Sequence, residues 1–210
     1  MTTVAPTKSR PIIFTDPDNI RALLDGTKTQ TRRQVKPQPI TGRNAWSQET
    51  EPGDCWIENG RVLVAVESRG RNKRASGELS ARQLEPFKVG QVLWVKEKWC
   101  PRSGGMLAMD RVCRPRYAAT EELRPEWGFS WRTPLFMPRW ASRIELLVTR
   151  RWIERLHDIS EADARAEACA GVDGFREKWE RINGNWKDSP WVWCVEFKRI
   201  EQKVEAYATN

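Results

Sequence analysis

Lys28, Thr31, Arg32 and Arg33 fall within a short stretch whose residue types suit chemistry on an anion or a carbonyl. A lysine beside two arginines is expected to have a depressed pKa, because nearby like charges disfavour its charged form. Depressed far enough, it can act as a general base near neutral pH. Thr31, three residues on, is then its nucleophile or the group that orients a water. The same side chains also suit simple phosphate binding, and spacing alone leaves both readings open. Glu167, one helical turn past Asp163 in a later segment, is the carboxylate that would serve as partner or proton shuttle. Nothing in the sequence pattern itself sets it beside Lys28.

The bulk composition favours an anionic partner. The 210 residues carry a formal net charge of +8, and neutralising phosphate with Lys and Arg supplies much of the energy of nucleic-acid binding. No apolar run reaches the length of a membrane span. The first residues, MTTVAPTKSR, lack the apolar stretch of a secretory signal, so a cytoplasmic location is expected. Cys55, Cys100, Cys113, Cys169 and Cys194 form no CxxC pair, and His157 is the one histidine. That argues against a zinc site or disulfide framework and for free thiols. Neither metal nor cofactor is expected. Most of the 12 tryptophans must pack inside, leaving one or two to stack on a base.

The elements that position these residues read as follows. Residues 1–10 form a loose arm and PIIF, from Pro11 to Phe14, a strand. Asp16 or Asp18 caps a helix carrying Ile20, Leu23 and Leu24 on one face, stopped by Gly26. Thr27 to Val35 follows as a polar strand or cleft-lining loop. As a strand it puts Thr27, Thr29 and Thr31 on one face and Lys28, Gln30 and Arg32 on the other. Arg32 then points away from a pocket that Arg33 faces. Residues 36–53 read as connecting loop. Cys55 to Glu67 reads as a hairpin turning at Asn59–Gly60, and residues 68–80 as a basic surface loop.

Gln91 to Trp99 is a strong strand with Leu93, Val95, Glu97 and Trp99 on one face. A carboxylate between apolar neighbours requires a partner, so Glu97 is either ion-paired or in a pocket. Arg116 to Ala119 is a short strand. Prolines deny a regular element to Trp131–Arg143, a segment rich in Trp and Arg that includes Arg139, Trp140 and Arg143. Ile144 to Arg155 alternates as a strand. Ser160 caps a helix that runs to about Ala170 and ends at Gly171, with Asp163 in a near capping box. Asp173 to Arg181 is a further helix and Trp191 to Ile200 a closing strand. The sum is an α+β fold, mainly β, of mixed or antiparallel strands in a small barrel with short flanking helices.

Five segments in this order, ALLDGTKTQTRR, GQVLWVKEKW, MPRWASRI, LHDISEADARAEA and WVWCVEFKRI, resemble the ASCH domain family in its phage and prophage form. They span about residues 11–200. The resemblance implies a PUA-like β-barrel forming one domain over that span, with insertions near 36–88 and 100–135 and a polar tail at 201–210. One branch of the family hydrolyses N4-acetylcytidine with a Lys and a Thr from a G-x-K-T-x-T segment and a Glu from a later helix. Lys28 and Thr31 match the first two and Glu167 the third. The resemblance thus implies an amidohydrolase on N4-acylated cytidine. The alternatives it offers are a metal-independent single-strand ribonuclease or a non-catalytic reader of RNA or modified bases. The implied partner is RNA, another single-stranded nucleic acid or a free modified nucleoside, bound by a monomer. Arg32, Arg33, Glu97, Trp99, Arg139, Trp140 and Arg143 are the expected ligand contacts, with Trp99 or Trp140 stacking on the base.

Overall fold

Asp16 accepts a hydrogen bond from the Asp18 amide and so opens the first helix, α1 (Pro17–Asp25). Gly26, at φ 82°, closes it in the left-handed conformation that glycine adopts without strain. Ile20 and Leu23 then face inward, as the spacing predicts. Before α1 lies strand β1 (Arg10–Ile13), and after it β2 (Gln30–Gln34). The computed structural model describes residues 9–40, 54–59, 61–67, 79–84, 86–101, 115–122 and 130–200. Residues 1–8 of the expected arm lie outside those described, and Arg10, assigned to it, instead pairs with Leu93 in β1.

The remaining elements are β3 (Cys55–Glu58), β4 (Arg61–Glu67), β5 (Leu79–Gln83), β6 (Val92–Lys96), β7 (Trp99–Cys100), β8 (Arg116–Tyr117), β9 (Glu145–Arg155), α2 (Glu161–Ala166), α3 (Val172–Asn183) and β10 (Trp191–Ile200). β3, β4 and β5 form an antiparallel meander, with Asn59 at positive φ in the expected hairpin turn. Leu79 and Ser80 thus belong to a strand and not to the basic loop, whose residues 68–78 lie outside those described. β7 and β8 make a separate short ladder.

The principal sheet has five strands in the order β1-β6-β9-β10-β2. β1 runs parallel to β6 and every other neighbour is antiparallel. The fold is α+β, mainly strands. The expected closed barrel is not seen: among the described residues the ladder is open, with β1 and β2 at its edges. A side chain bridges those edges, since Arg33 Nη2 of β2 donates to the Ile13 carbonyl of β1 at 2.6 Å.

Alternation along β10 divides the core. Val195 and Phe197 join Ile20 and Leu23 of α1, with Leu146, Val148, Leu93 and Val95, on one face. Val192 and Cys194 join Phe175 and Trp179 of α3, with Ala164 of α2, on the other. The sheet is therefore covered by α1 on one side and by α2 and α3 on the other. No helix among the described residues is long and apolar enough to cross a membrane.

Gly26 has open space where a Cβ would stand, so Gly26→Ala adds backbone strain and no clash. We expect it to lower stability by about 1 kcal/mol, read as a lower urea midpoint at unchanged m value. An unchanged midpoint would show that α1 does not need this turn.

Candidate functional site

Lys28 lies outside β2, in the link between α1 and that strand. Its amide donates to Ala22 at the end of α1, and the Thr29 amide donates to Ala166 at the end of α2. The short strap over residues 28 and 29 therefore touches both helical layers. The strand expected from Thr27 begins three residues later, because these amides are already committed to the helix ends.

α2 is shorter than expected. Ser160 accepts from the Asp163 amide at its start, but the helix stops at Ala166. Ala168 takes positive φ, its amide bonds Arg165, and the Cys169 amide bonds Ala164. These two reversed bonds form a Schellman end, normally built around glycine. Glu167 becomes the capping residue, and its carbonyl lies among those a helix end leaves unpaired. Lys28 Nζ donates to that carbonyl at 3.0 Å and to the Glu167 carboxylate at 2.5 Å. Both residues are buried.

These residues sit in a cleft of ≈ 290 Å³ whose lining includes Phe14, Asn19, Thr31, Arg32, Arg33 and Phe175. Lys36, Lys178 and Trp179 lie along it too. β2 is the last strand of the sheet, and this explains the arrangement. Thr31 and Arg33 share the face of Val195 and Trp193, while Arg32 lies opposite with Cys194. The two arginines diverge as alternation requires, but the cleft wraps around the free edge and receives both. The expectation that Arg32 leaves the pocket is therefore corrected.

The charges have unequal partners. Arg32 contacts three carboxylates, those of Glu154 at 2.8 Å, Glu167 at 3.5 Å and Asp163 at 3.6 Å. Arg33 stacks on the Phe14 ring, 4.9 Å from its centroid, and has no carboxylate within ion-pair distance among the described residues. Burial pushes the Lys28 ammonium below its ordinary 10.5, and the Glu167 carboxylate opposes that shift without cancelling it. The depression expected from sequence thus has a different first cause: desolvation, not the neighbouring arginines. Burial also raises the Cys169 thiol next to this pair, which leaves it a weak nucleophile.

The structure brings together Lys28, Thr31, Glu167, Arg32 and Arg33. It does not bring Glu97, Trp99, Arg139, Trp140 or Arg143 to the cleft. Glu97 is 1% exposed and forms a two-pronged pair with Arg143, at 2.9 Å on each side. Arg143 stacks on Tyr117. Trp99 is buried, with Trp140 edge-on at 6.0 Å, and Arg139 pairs with Glu145 at the surface. The aromatic groups of the cleft are instead Phe14, Phe175 and Trp179. Phe175 and Trp179 are legible as a one-turn helical pair, but nothing in the pattern separates a core pair from a cleft wall. Asn19, Lys36 and Lys178 carry no sequence signal.

Comparisons with protein-family models, with curated proteins and with solved structures find no match for this chain.

Removing one member of a buried ion pair strands the other. We expect Lys28→Met to cost about 3 kcal/mol of unfolding free energy, and Lys28→Met with Glu167→Leu to recover most of it. Because the folded pKa of Lys28 is depressed, the unfolded chain binds that proton more tightly between the lowered value and 10.5. Stability relative to the double variant should therefore rise with pH through that window and level off above it. A flat difference would mean that the lysine is not desolvated in solution.

Proposed function

We propose that the cleft binds a cytosine nucleoside unit and hydrolyses an acyl amide on its N4, as the ASCH resemblance implies. The observation that carries this reading is the buried 2.5 Å contact between Lys28 and Glu167, with Thr31 in the same cleft. One proton shift along that hydrogen bond turns the ammonium–carboxylate pair into a neutral amine and a neutral acid. Burial of Lys28 favours its neutral form. The amine is then a base for the attacking group and the acid a proton source for the leaving group.

The steps balance. Lys28 takes a proton from Thr31 or from a water, whose oxygen adds to the amide carbonyl. Arg33 donates to the oxyanion that forms. Glu167 protonates the cytosine N4, the C–N bond breaks, and cytidine leaves. With water as nucleophile the other product is acetic acid; with Thr31 it is an acyl-enzyme that one water then cleaves to acetic acid and free Thr31. The five-stranded sheet, its edges bridged by Arg33, is in this reading the curled core of a PUA-like fold.

The many cations around the cleft favour a second reading, single-strand RNA cleavage or binding without metal. There Lys28 and Arg33 stabilise the phosphorane while Thr31 positions the 2′-OH.

Acetate release from N4-acetylcytidine tests the first reading. Lys28→Met and Glu167→Gln should each lower kcat/KM by roughly 10²–10⁴-fold, the usual range for a positioned acid or base. No acetate release by the wild type, either from the free nucleoside or from the same nucleoside inside an RNA strand, would overturn the amidase reading. Cleavage of single-stranded RNA that Lys28→Met abolishes would replace it with the nuclease.

A further inference from the structure

A second cleft, of ≈ 580 Å³, lies beside the first and shares Arg33, Gln34 and Lys36 with it. Arg10 adds a further cation, and Phe87 and Trp193 add aromatic surface. Among the described residues no carboxylate lines it, whereas Glu167 lines the first cleft. The two spaces meet at Arg33. Only one N–H of that guanidinium is used among the described residues, to the Ile13 carbonyl. A guanidinium has five such donors, and a half-buried one with no carboxylate partner is short of an anion. Arg32, its neighbour in sequence, is already compensated by three carboxylates and has no such deficit.

We infer that the bound unit is one nucleotide of a single strand: its base enters the Lys28 cleft, a flanking phosphate rests on Arg33, and the chain continues along Arg10 and Lys36. This rests on the reading of the Lys28 cleft as a nucleoside site, and it names the substrate class as polynucleotide and not free nucleoside. Phosphate contacts position such a strand without reading its sequence. Aromatic side chains in a cationic groove are how single strands are held in general. Gln83, Leu84, Pro86 and Phe87 come from β5 and the link after it, so the meander supplies one wall of the second cleft.

The experiment measures the affinity of the full chain for short labelled single-stranded RNA and DNA of mixed sequence over a series of salt concentrations. Cytidine and cytidine monophosphate serve as competitors. Acetate release is followed in parallel from N4-acetylcytidine, free and placed inside the RNA strand. The strand should bind at least tenfold more tightly than the mononucleotide. Arg10→Gln with Lys36→Gln should weaken strand binding about tenfold. The log–log salt slope should fall by about 1.4, or 0.7 for each lost phosphate contact on a single strand. Lys36→Arg should retain binding. Lys36 is exposed, so Lys36→Gln alone gives the same reading at half the slope change if the double variant fails to fold.

Strand and mononucleotide binding equally, or a double variant with wild-type affinity and slope, would overturn the inference. In that case acetate release from the free nucleoside would leave the amidase reading standing. Strand binding sensitive to Arg10 and Lys36, with no acetate from either substrate, would support the inference and overturn the amidase. Neither binding nor turnover would overturn both.

Discussion

The pairing of Lys28 with Glu167 is the interaction on which the rest of this structure depends. It joins the exit of α1, on one face of the sheet, to the exit of α2, on the other, across β2, the outermost strand among the described residues. A buried ion pair is costly to form, because both charges leave water, and it persists only where geometry and additional hydrogen bonds compensate. Here the compensation is local. The Glu167 carbonyl takes one of the ammonium's donors, and the Phe14 ring lies 5.9 Å from Nζ. The Ala22 and Ala166 carbonyls hold the strap that carries the lysine. Gly26 and the left-handed Ala168 are the two backbone reversals that bring the residues to one point. A non-glycine in that conformation carries strain, and the packing around the pair must hold it.

Two buried acid–base pairs in the molecule show how environment separates roles. Glu97 and Arg143 match prong for prong, with Tyr117 over the guanidinium and Thr120 on its third nitrogen. Every strong group there has found its partner within the protein, and the pair fixes the end of β6 against the turn before β9. At Lys28 the compensation is incomplete. Glu167 Oε1 is buried without a hydrogen bond, and so is Oδ1 of Asn19 in the same cleft. The buried Asn19 acceptor, a Glu167 Oε1 that reaches only Arg32 at 3.5 Å, and an Arg33 with no carboxylate at ion-pair distance are what a polar ligand with both donors and acceptors would satisfy, at a cost to the empty protein.

Much of the frame was legible from periodicity and turn chemistry. Asp16, Pro17 and Gly26 bound α1, and alternation marks β9. Burial of Leu93, Val95 and Glu97 followed the pattern of their strand. The site was legible only in part. Lys28 and Thr31 are close in sequence, but Glu167 is brought to them by tertiary contacts that no local rule encodes. The helix end that presents it carries no sequence signal, because an alanine occupies the position where glycine is the usual mark. A correct rule about faces directs Arg32 away from the pocket. That rule fails at an outermost strand, where both faces meet the same space. Glu97 and Arg143 were attractive as ligand contacts for the same reason that they pair with each other: both are charges in an apolar setting. The open sheet order departs from a closed barrel because β1 and β2 approach through a side chain and not through a ladder.

That edge has a further consequence. A strand left unpaired on one side offers its amides and carbonyls to any other extended chain, and proteins protect such strands with charge. β2 carries Arg32 and Arg33 between Gln30 and Gln34, and Arg33 occupies the Ile13 carbonyl of β1. Arg33, which carries a charge on that strand with no carboxylate at ion-pair distance among the described residues, therefore also works against self-association at this margin. Neutral, apolar replacements there would trade a site defect for an aggregation hazard, so loss of function and loss of solubility would arrive together.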